Sequence, residues 1–397
     1  MSRSERASAS GHDAVAATVA DLQAMFAAFA ATYPELRLYR AICEGAAADD
    51  AAASLLAVAR PGQARPVLFL AALHDLVLRR TDLGLARWYP SVTGGGVPDG
   101  DPWPEVRTAC FEHADELRDV IATRATQTNE VNRVVHLAPL VAHACADVAD
   151  APVALVEMGC SAGLLLGLDR YRIEVSPPEG LRPVVLGDPG SEVVCAGRQR
   201  DGPSVSELAL PAIVERVGLD LHPVGLDDAR EVRWLEACLW PDVPGRLERF
   251  RAAVRALRPD PPEVVAGDMV ADLGPVAHSA RAVAGARLAA EGSGAAVHLV
   301  VFSSWALTYA RRDRRGDVAA TLADLAADGR PVSWLTAEPP GCVPDLAAPE
   351  GMAGIHTETG AGTVLGAHRW RDGRELPPAV WGTSHPHGAW FRRAPTP

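Results

Sequence analysis

The sequence predicts an α/β protein: a mostly parallel sheet closed by an antiparallel C-terminal hairpin, behind an all-helical N-terminal domain. Three observations predict it. Apolar residues recur at helical spacing through residues 13–150 with no convincing strand. From residue 153 onward, short apolar, β-rich runs alternate with helical stretches. Near the C-terminus an Asp-Gly pair, a strong hairpin signal, separates two strand-like runs. A length of 397 residues favours two domains.

Residues 1–12 are polar and read as a disordered lead-in without the apolar core of a secretory signal. Val15, Val19, Leu22, Phe26 and Phe29 then mark a first helix. Pro66, a favourable first-turn residue, opens a second that continues through Leu68, Leu73, Leu76 and Leu78. Breakers make 82–101 a loop. Further helices are expected over 105–123 and 126–146, with a domain junction at 149–152. The expected strands are 153–157, 217–221, 264–267, 297–302 and 332–335, separated by helices over 161–168, 229–239, 276–290 and 313–327. The tail adds strands at 363–370, 376–381 and 389–392, with Asp372-Gly373 between the first two. Residues 171–210 interrupt the alternation and read as an insertion, a hairpin lid at the mouth of a site.

Composition excludes several functions. The net charge of −12 opposes a phosphate-backbone binder, and the best basic cluster, Arg311 to Arg315, reads as a solvated helix start. All 38 basic residues are Arg. Without a Lys amine there is no Schiff-base chemistry, and without a P-loop Lys no ordinary phosphate cradle. The seven cysteines are scattered and imply a reducing compartment rather than a disulfide framework or zinc ribbon. No apolar run is long enough to cross a bilayer. A cytoplasmic protein acting on a small molecule, with neither nucleic acid nor membrane as partner, is the expectation. The oligomeric state stays open, a homodimer included.

The chemistry concentrates at residues 153–164, where an apolar strand ends in Glu157 and runs into the turn Gly159-Cys160-Ser161-Ala162-Gly163. Nucleotide-type ligands bind at the carboxyl ends of such strands, small residues admit close backbone approach, and a following helix would offer free N–H groups. Downstream, Asp220-Leu221 closes the second strand, Gly267-Asp268 the third, and Phe302-Ser303-Ser304-Trp305 the fourth.

These segments resemble those of class I S-adenosylmethionine-dependent methyltransferases over residues 150–395, with Ser161 where that pattern carries its middle glycine. The resemblance implies a Rossmann-like, seven-stranded sheet and S-adenosyl-L-methionine as cofactor. Glu157, Gly159, Ser161, Ala162 and Gly163 would line the cofactor turn. Asp220 with Leu221 would hold the ribose, although Glu174 sits nearer the usual spacing. Gly267 and Asp268 would face the adenine, and Phe302 and Ser303 the fourth strand end. Ser304, Trp305 and Tyr309 would stand near the transferred methyl group. Asn129 and Arg133, four apart on one expected helix face, would reach the cofactor's carboxylate. The helical domain would cover the substrate. The whole chain also resembles an uncharacterised bacterial family, through Gln127–Arg133, the 157–163 turn, Asp169-Arg170-Tyr171, Trp240-Pro241-Asp242 and His385-Pro386-His387-Gly388. That second resemblance implies no activity.

Three other readings use the same residues. Gly159-Cys160-Ser161-Ala162-Gly163 also spells the nucleophile elbow of α/β-hydrolases, with Ser161 as nucleophile and Asp268 and His385 or His387 as partners. A nicotinamide-dependent oxidoreductase would need glycine spacing that the turn lacks. A cofactor-free partner protein could keep the fold alone. His385 and His387 lack a third ligand at telling spacing, so no metal is assigned. His136 and His143, two helical turns apart, read as interface or surface residues.

Overall fold

The computed structural model describes residues 17–148, 150–178, 182–347 and 362–394. The expected lead-in at 1–12, Val15 and the first junction residue, Ala149, lie outside the described residues. The chain forms two compact units, residues 1–127 with 233–244, and residues 128–232 with 245–397.

The first unit is helical. Its helices include Val19–Thr32, Arg37–Ala47, Pro66–Arg79, Trp103–Glu112 and Ala114–Thr123. The single helix expected over 105–123 is thus two, meeting at His113. Leu22, Phe26, Tyr39, Phe69 and Leu73 fill the core, with Phe26 and Phe69 edge to face. The segment 233–244, distant in sequence, completes this unit. Trp240 packs against Phe29, Tyr33 and Tyr39. Leu36 supplies no side-chain cap to the helix Arg37–Ala47. Asp242 does so instead, accepting from the N–H groups of Leu38 at 2.9 Å and Tyr39 at 3.1 Å. Trp88, Tyr89 and Trp234 are buried in the same unit as packing residues.

The second unit is built on one mixed sheet. Its strands are β1 (Val153–Met158), β2 (Arg172–Ser176), β3 (Val184–Gly187), β4 (Val194–Gln199), β5 (Ile213–Asp220), β6 (Glu263–Ala266), β7 (His298–Ser304), β8 (Val332–Glu338), β9 (Thr363–Arg371), β10 (Arg374–Ser384) and β11 (Trp390–Arg393). They lie in the order β3-β2-β4-β11-β10-β9-β8-β7-β1-β5-β6. The expected seven-stranded sheet is therefore an eleven-stranded one. β6, β5, β1, β7 and β8 are parallel neighbours. β1, β7 and β8 are buried along their whole length, which accounts for their unbroken apolar runs. The helices Leu273–Ala290 and Asp317–Ala326 send Leu273, Ala277, Ala280 and Leu322 into the core that Val156, Leu299 and Trp334 share.

β9 runs antiparallel to β8, and the Asp372-Gly373 turn returns the chain into β10. Both turn residues have positive φ, 51° and 73°, as a tight two-residue hairpin requires. Three further expectations are corrected. The insertion at 171–210 is no lid: β2, β3 and β4 extend the sheet beyond β11. The helix expected over 161–168 is one short 3-10 turn, Leu164–Gly167. The helix expected from 126 begins only at Val134, after a 3-10 turn at Val131–Arg133, so Asn129 and Arg133 share no helix face.

Candidate functional site

The chain enters the parallel region at β1, moves to β5 and β6 on one side, then crosses to β7 and β8 on the other. The reversal falls between β1 and β7. In open α/β sheets the carboxyl ends of the strands at such a reversal are where ligands bind. Here those ends carry Glu157 and its turn on β1, and Ser303, Ser304 and Trp305 on β7.

The turn after β1 is held by backbone and by one acid. The N–H groups of Gly159 and Cys160 donate to the Leu219 carbonyl at 2.7 and 3.3 Å. Ser161 N–H donates to Asp220 Oδ2 at 2.8 Å, and Asp220 Oδ1 accepts from His222 N–H at 2.8 Å. Gly159, Ser161 and Gly163 have φ of 72°, 53° and 68°. The left-handed region suits glycine and is unusual for serine. Ser161 Oγ accepts from Asn129 Nδ2 at 3.0 Å, so the two residues meet even though no helix presents them.

The small residues serve packing here. A Cβ at Gly159 would stand 2.4 Å from Ala306 Cβ, and one at Gly163 2.9 Å from Pro262 Cγ. Gly218, beside the turn on β5, is likewise closed by Cys160 Sγ at 2.4 Å. Glycine at these places lets neighbouring protein segments come together, rather than leaving space at the Cβ positions themselves.

Glu157 is the feature that packing does not explain. It is 3% exposed, and its Oε2 is buried with no hydrogen-bond partner among the described residues. Burial, and then the nearby Asp220 carboxylate, push its pKa well above the usual carboxylate range, while Arg133 opposes the shift. A buried carboxyl with a vacant oxygen is costly unless something supplies a donor.

Arg133 reaches the same strand ends. Its Nε donates to the Pro386 carbonyl and its Nη1 to the Ser304 carbonyl, both at 3.0 Å. Nη2 has no partner among the described residues. Burial brings this guanidinium down to about 10, against the pull of Glu130. Ser304 Oγ is also buried without a hydrogen-bond partner among the described residues. Trp305 adopts φ of 57°, and its indole Nε1 donates to Thr363 Oγ1 at 2.9 Å, which fixes the ring.

The remaining expected residues are more dispersed. Phe302 is fully buried on β7, opposite Glu157 on β1. Asp268 is exposed and caps its own loop, accepting from Val270 and Ala271 N–H at 2.9 and 2.8 Å; those bonds lower its pKa. Leu221 is exposed, and Tyr309 is 78% exposed, outside this buried set. Glu174 lies on β2, on the far wing of the sheet, whereas Asp220 ends the strand beside β1. Ala162 is buried within the turn, and Gly267 abuts the Asp272 carboxylate.

Sequence reasoning missed three groups. Glu338, at the end of β8, is fully buried; its Oε1 accepts from Ala306 and Leu307 N–H at 3.1 and 3.2 Å, and its Oε2 has no hydrogen-bond partner among the described residues. Burial raises its pKa to about 7 against those two N–H groups and the neighbouring Ser303 hydroxyl. Glu130 pairs with Arg246 at 2.8 Å and Arg249 at 3.4 Å. His136, expected at an interface or surface, is 1% exposed, and neither ring nitrogen has a hydrogen-bond partner among the described residues. The one available sequence signal was charged or polar residues inside apolar runs, Glu338 and His136 among them. Among the described residues no cluster of three or more His, Cys, Asp or Glu side chains is arranged to hold a metal ion. No helix among them is long and apolar enough to cross a membrane.

Comparison with known proteins finds one family across almost the whole chain, matching residues 23–393 and described as "uncharacterized protein conserved in bacteria (DUF2332)". No curated protein and no solved structure matches.

Proposed function

The chain belongs to this family of uncharacterised bacterial proteins, and from its own site we propose that it is an S-adenosylmethionine-dependent methyltransferase of a small molecule. The cofactor would sit over the carboxyl ends of β1 and β5. The observation that carries the reading is Glu157 Oε2, a buried acceptor at the strand reversal with no donor among the described residues. An amino-acid ammonium is the donor that suits it. Asp220 spends one lone pair of each oxygen on Ser161 and His222 N–H, and a carboxylate has others for ribose hydroxyls. Arg133 Nη2 would take the cofactor's carboxylate, with Asn129 and Ser161 lining the turn.

When bound, S-adenosylmethionine supplies a methyl group already activated by its sulfonium charge. The protein has to align the acceptor and exclude water. Trp305, locked by Thr363, provides a rigid wall at the β7 end. Ser304 Oγ orients the acceptor. Glu338 Oε2, with a pKa near neutrality, is suited to receive a proton when the acceptor carries one.

One observation favours a second reading: the positive φ of Ser161 is what a nucleophile elbow requires. Against it, Asp268 is spent on its own loop, accepting from Val270 and Ala271 N–H. A serine-directed phosphonate should leave Ser161 unlabelled; stoichiometric labelling there would establish the elbow instead. The primary test is equilibrium binding of S-adenosylhomocysteine to the intact protein and to Glu157→Gln. A charged hydrogen bond lost from a buried site should weaken binding about tenfold or more. Equal affinities for the two proteins would overturn the assignment of Glu157.

A further inference from the structure

A second cluster of unsatisfied polar groups lies where the turn 385–388, following β10, meets residues 130–136. β10 runs parallel to β8, so its end at Ser384 faces the same edge as the strand ends described above. The cluster begins with charge. Arg246 and Arg249 both pair with the single carboxylate of Glu130, and Arg133 stands within electrostatic reach of Glu130 and Arg246. Two guanidinium groups thus share one carboxylate, and the Arg246 and Arg133 side chains are almost wholly buried. Arg133 also lies within electrostatic reach of the Glu338 and Glu157 carboxyls. Buried cations in excess of anions are unfavourable unless a counter-charge arrives.

Vacant ring nitrogens point the same way. Among the described residues neither nitrogen of His136 nor Nδ1 of His387 has a hydrogen-bond partner, though His387 Nδ1 stands 4.0 Å from Glu130 Oε2. The His136 and His387 rings lie within electrostatic reach of one another, of Arg133 and of His385. His385 Nδ1 accepts from His387 N–H at 3.0 Å, which puts the neutral His385 proton on Nε2, as a donor. The cluster also touches the start of the helix Arg246–Leu257, whose N-cap, Gly245, offers no side chain to its free N–H groups. The His387 side chain is 43% exposed. Gly388 fixes the turn here, for a Cβ would stand 2.0 Å from the Asn132 carbonyl oxygen.

We infer that this cluster is a binding subsite for an oxyanion, a carboxylate or phosphate group of a ligand, held by Arg246, His136 and His387. The subsite is independent of the cofactor assignment, which uses Arg133 and none of Arg246, His136 and His387. It can be tested without any sulfonium present. The intact protein is titrated calorimetrically with inorganic phosphate and, separately, with succinate. Saturable binding of either anion is the expected result, and the one that binds identifies the oxyanion. Arg246→Gln should weaken that binding about tenfold or more. Because this change also strips Glu130 of its closest partner, His387→Ala serves as the second variant: its ring forms no hydrogen bond among the described residues. It should weaken binding severalfold while leaving the melting temperature of the anion-free protein unchanged. No saturable heat with either anion, or binding unaffected in His387→Ala and Arg246→Gln alike, would overturn the inference.

Discussion

The Ser161 N–H donates to Asp220 Oδ2 at 2.8 Å, tying the turn after β1 to the end of β5. The same carboxylate holds His222 N–H through its other oxygen. Asp220 is thus first a clamp that shapes the turn, and any ligand it takes is bound by a group already fixed in place. Asp220→Ala should destabilise the protein by about 2–4 kcal/mol, from two backbone donors left facing a vacated carboxylate. Urea unfolding measures this; a loss below about 0.5 kcal/mol would mean that the clamp carries no weight.

Gly159 makes a sharper case. Its φ is 72°, and a Cβ there would meet Ala306 Cβ at 2.4 Å. Gly159→Ala should cost about 2 kcal/mol or more, from backbone strain and overpacking together. Pairing it with Ala306→Gly should recover the packing part and leave the strain. A double-mutant cycle that shows strict additivity would contradict the contact.

Two buried groups set opposite pH dependences. Glu338 has a folded pKa of about 7 against an ordinary 4.5. Its contribution to stability is complete below about 4.5 and is lost as pH rises through 7. His136 has a folded pKa of about 3 against 6.5. Its contribution is complete above 6.5 and is lost as pH falls toward 3. Each is on the order of a few kcal/mol. Urea midpoints across this range should therefore slope downward on both sides, with Glu338→Gln flattening the alkaline limb and His136→Phe the acid limb. A variant whose profile parallels that of the unmodified protein would contradict the corresponding assignment.

In the helical unit, Asp242 caps a helix to which it does not belong. Asp242→Ala should lower stability by about 1–2 kcal/mol, as for other lost N-caps. Asp242→Asn, which keeps an acceptor, should recover much of the loss. Equal losses for the two variants would contradict capping as the cause.

What the sequence disclosed follows from where each segment is buried. β1, β7 and β8 are covered on both faces, so their apolar runs are continuous and easily read. β2 and β4 bury alternate residues, and β4 pairs with β11 from the far end of the chain. Such short, one-sided, non-local strands carry little local signal and looked like a lid. The run Leu164-Leu165-Leu166 mimicked a helix. It stops because Tyr171 Oη donates to the Leu164 carbonyl at 2.7 Å and the Tyr171 ring packs over Gly167. The acid and turn at 157–163 were legible because they are contiguous. Glu130, Arg246 and His387 were not, because only the fold brings them together. The stagger of Asn129 and Arg133 misled for the opposite reason: a helical spacing existed in the sequence, but the backbone there is not an α-helix.

The most direct test of the central claim is a crystal structure of the intact protein soaked with S-adenosylhomocysteine. The account predicts density over the turn at 159–163, with the ligand's ammonium against Glu157 Oε2 and its ribose hydroxyls on Asp220. Density anywhere else, or an unchanged Glu157 at saturating ligand, would contradict it.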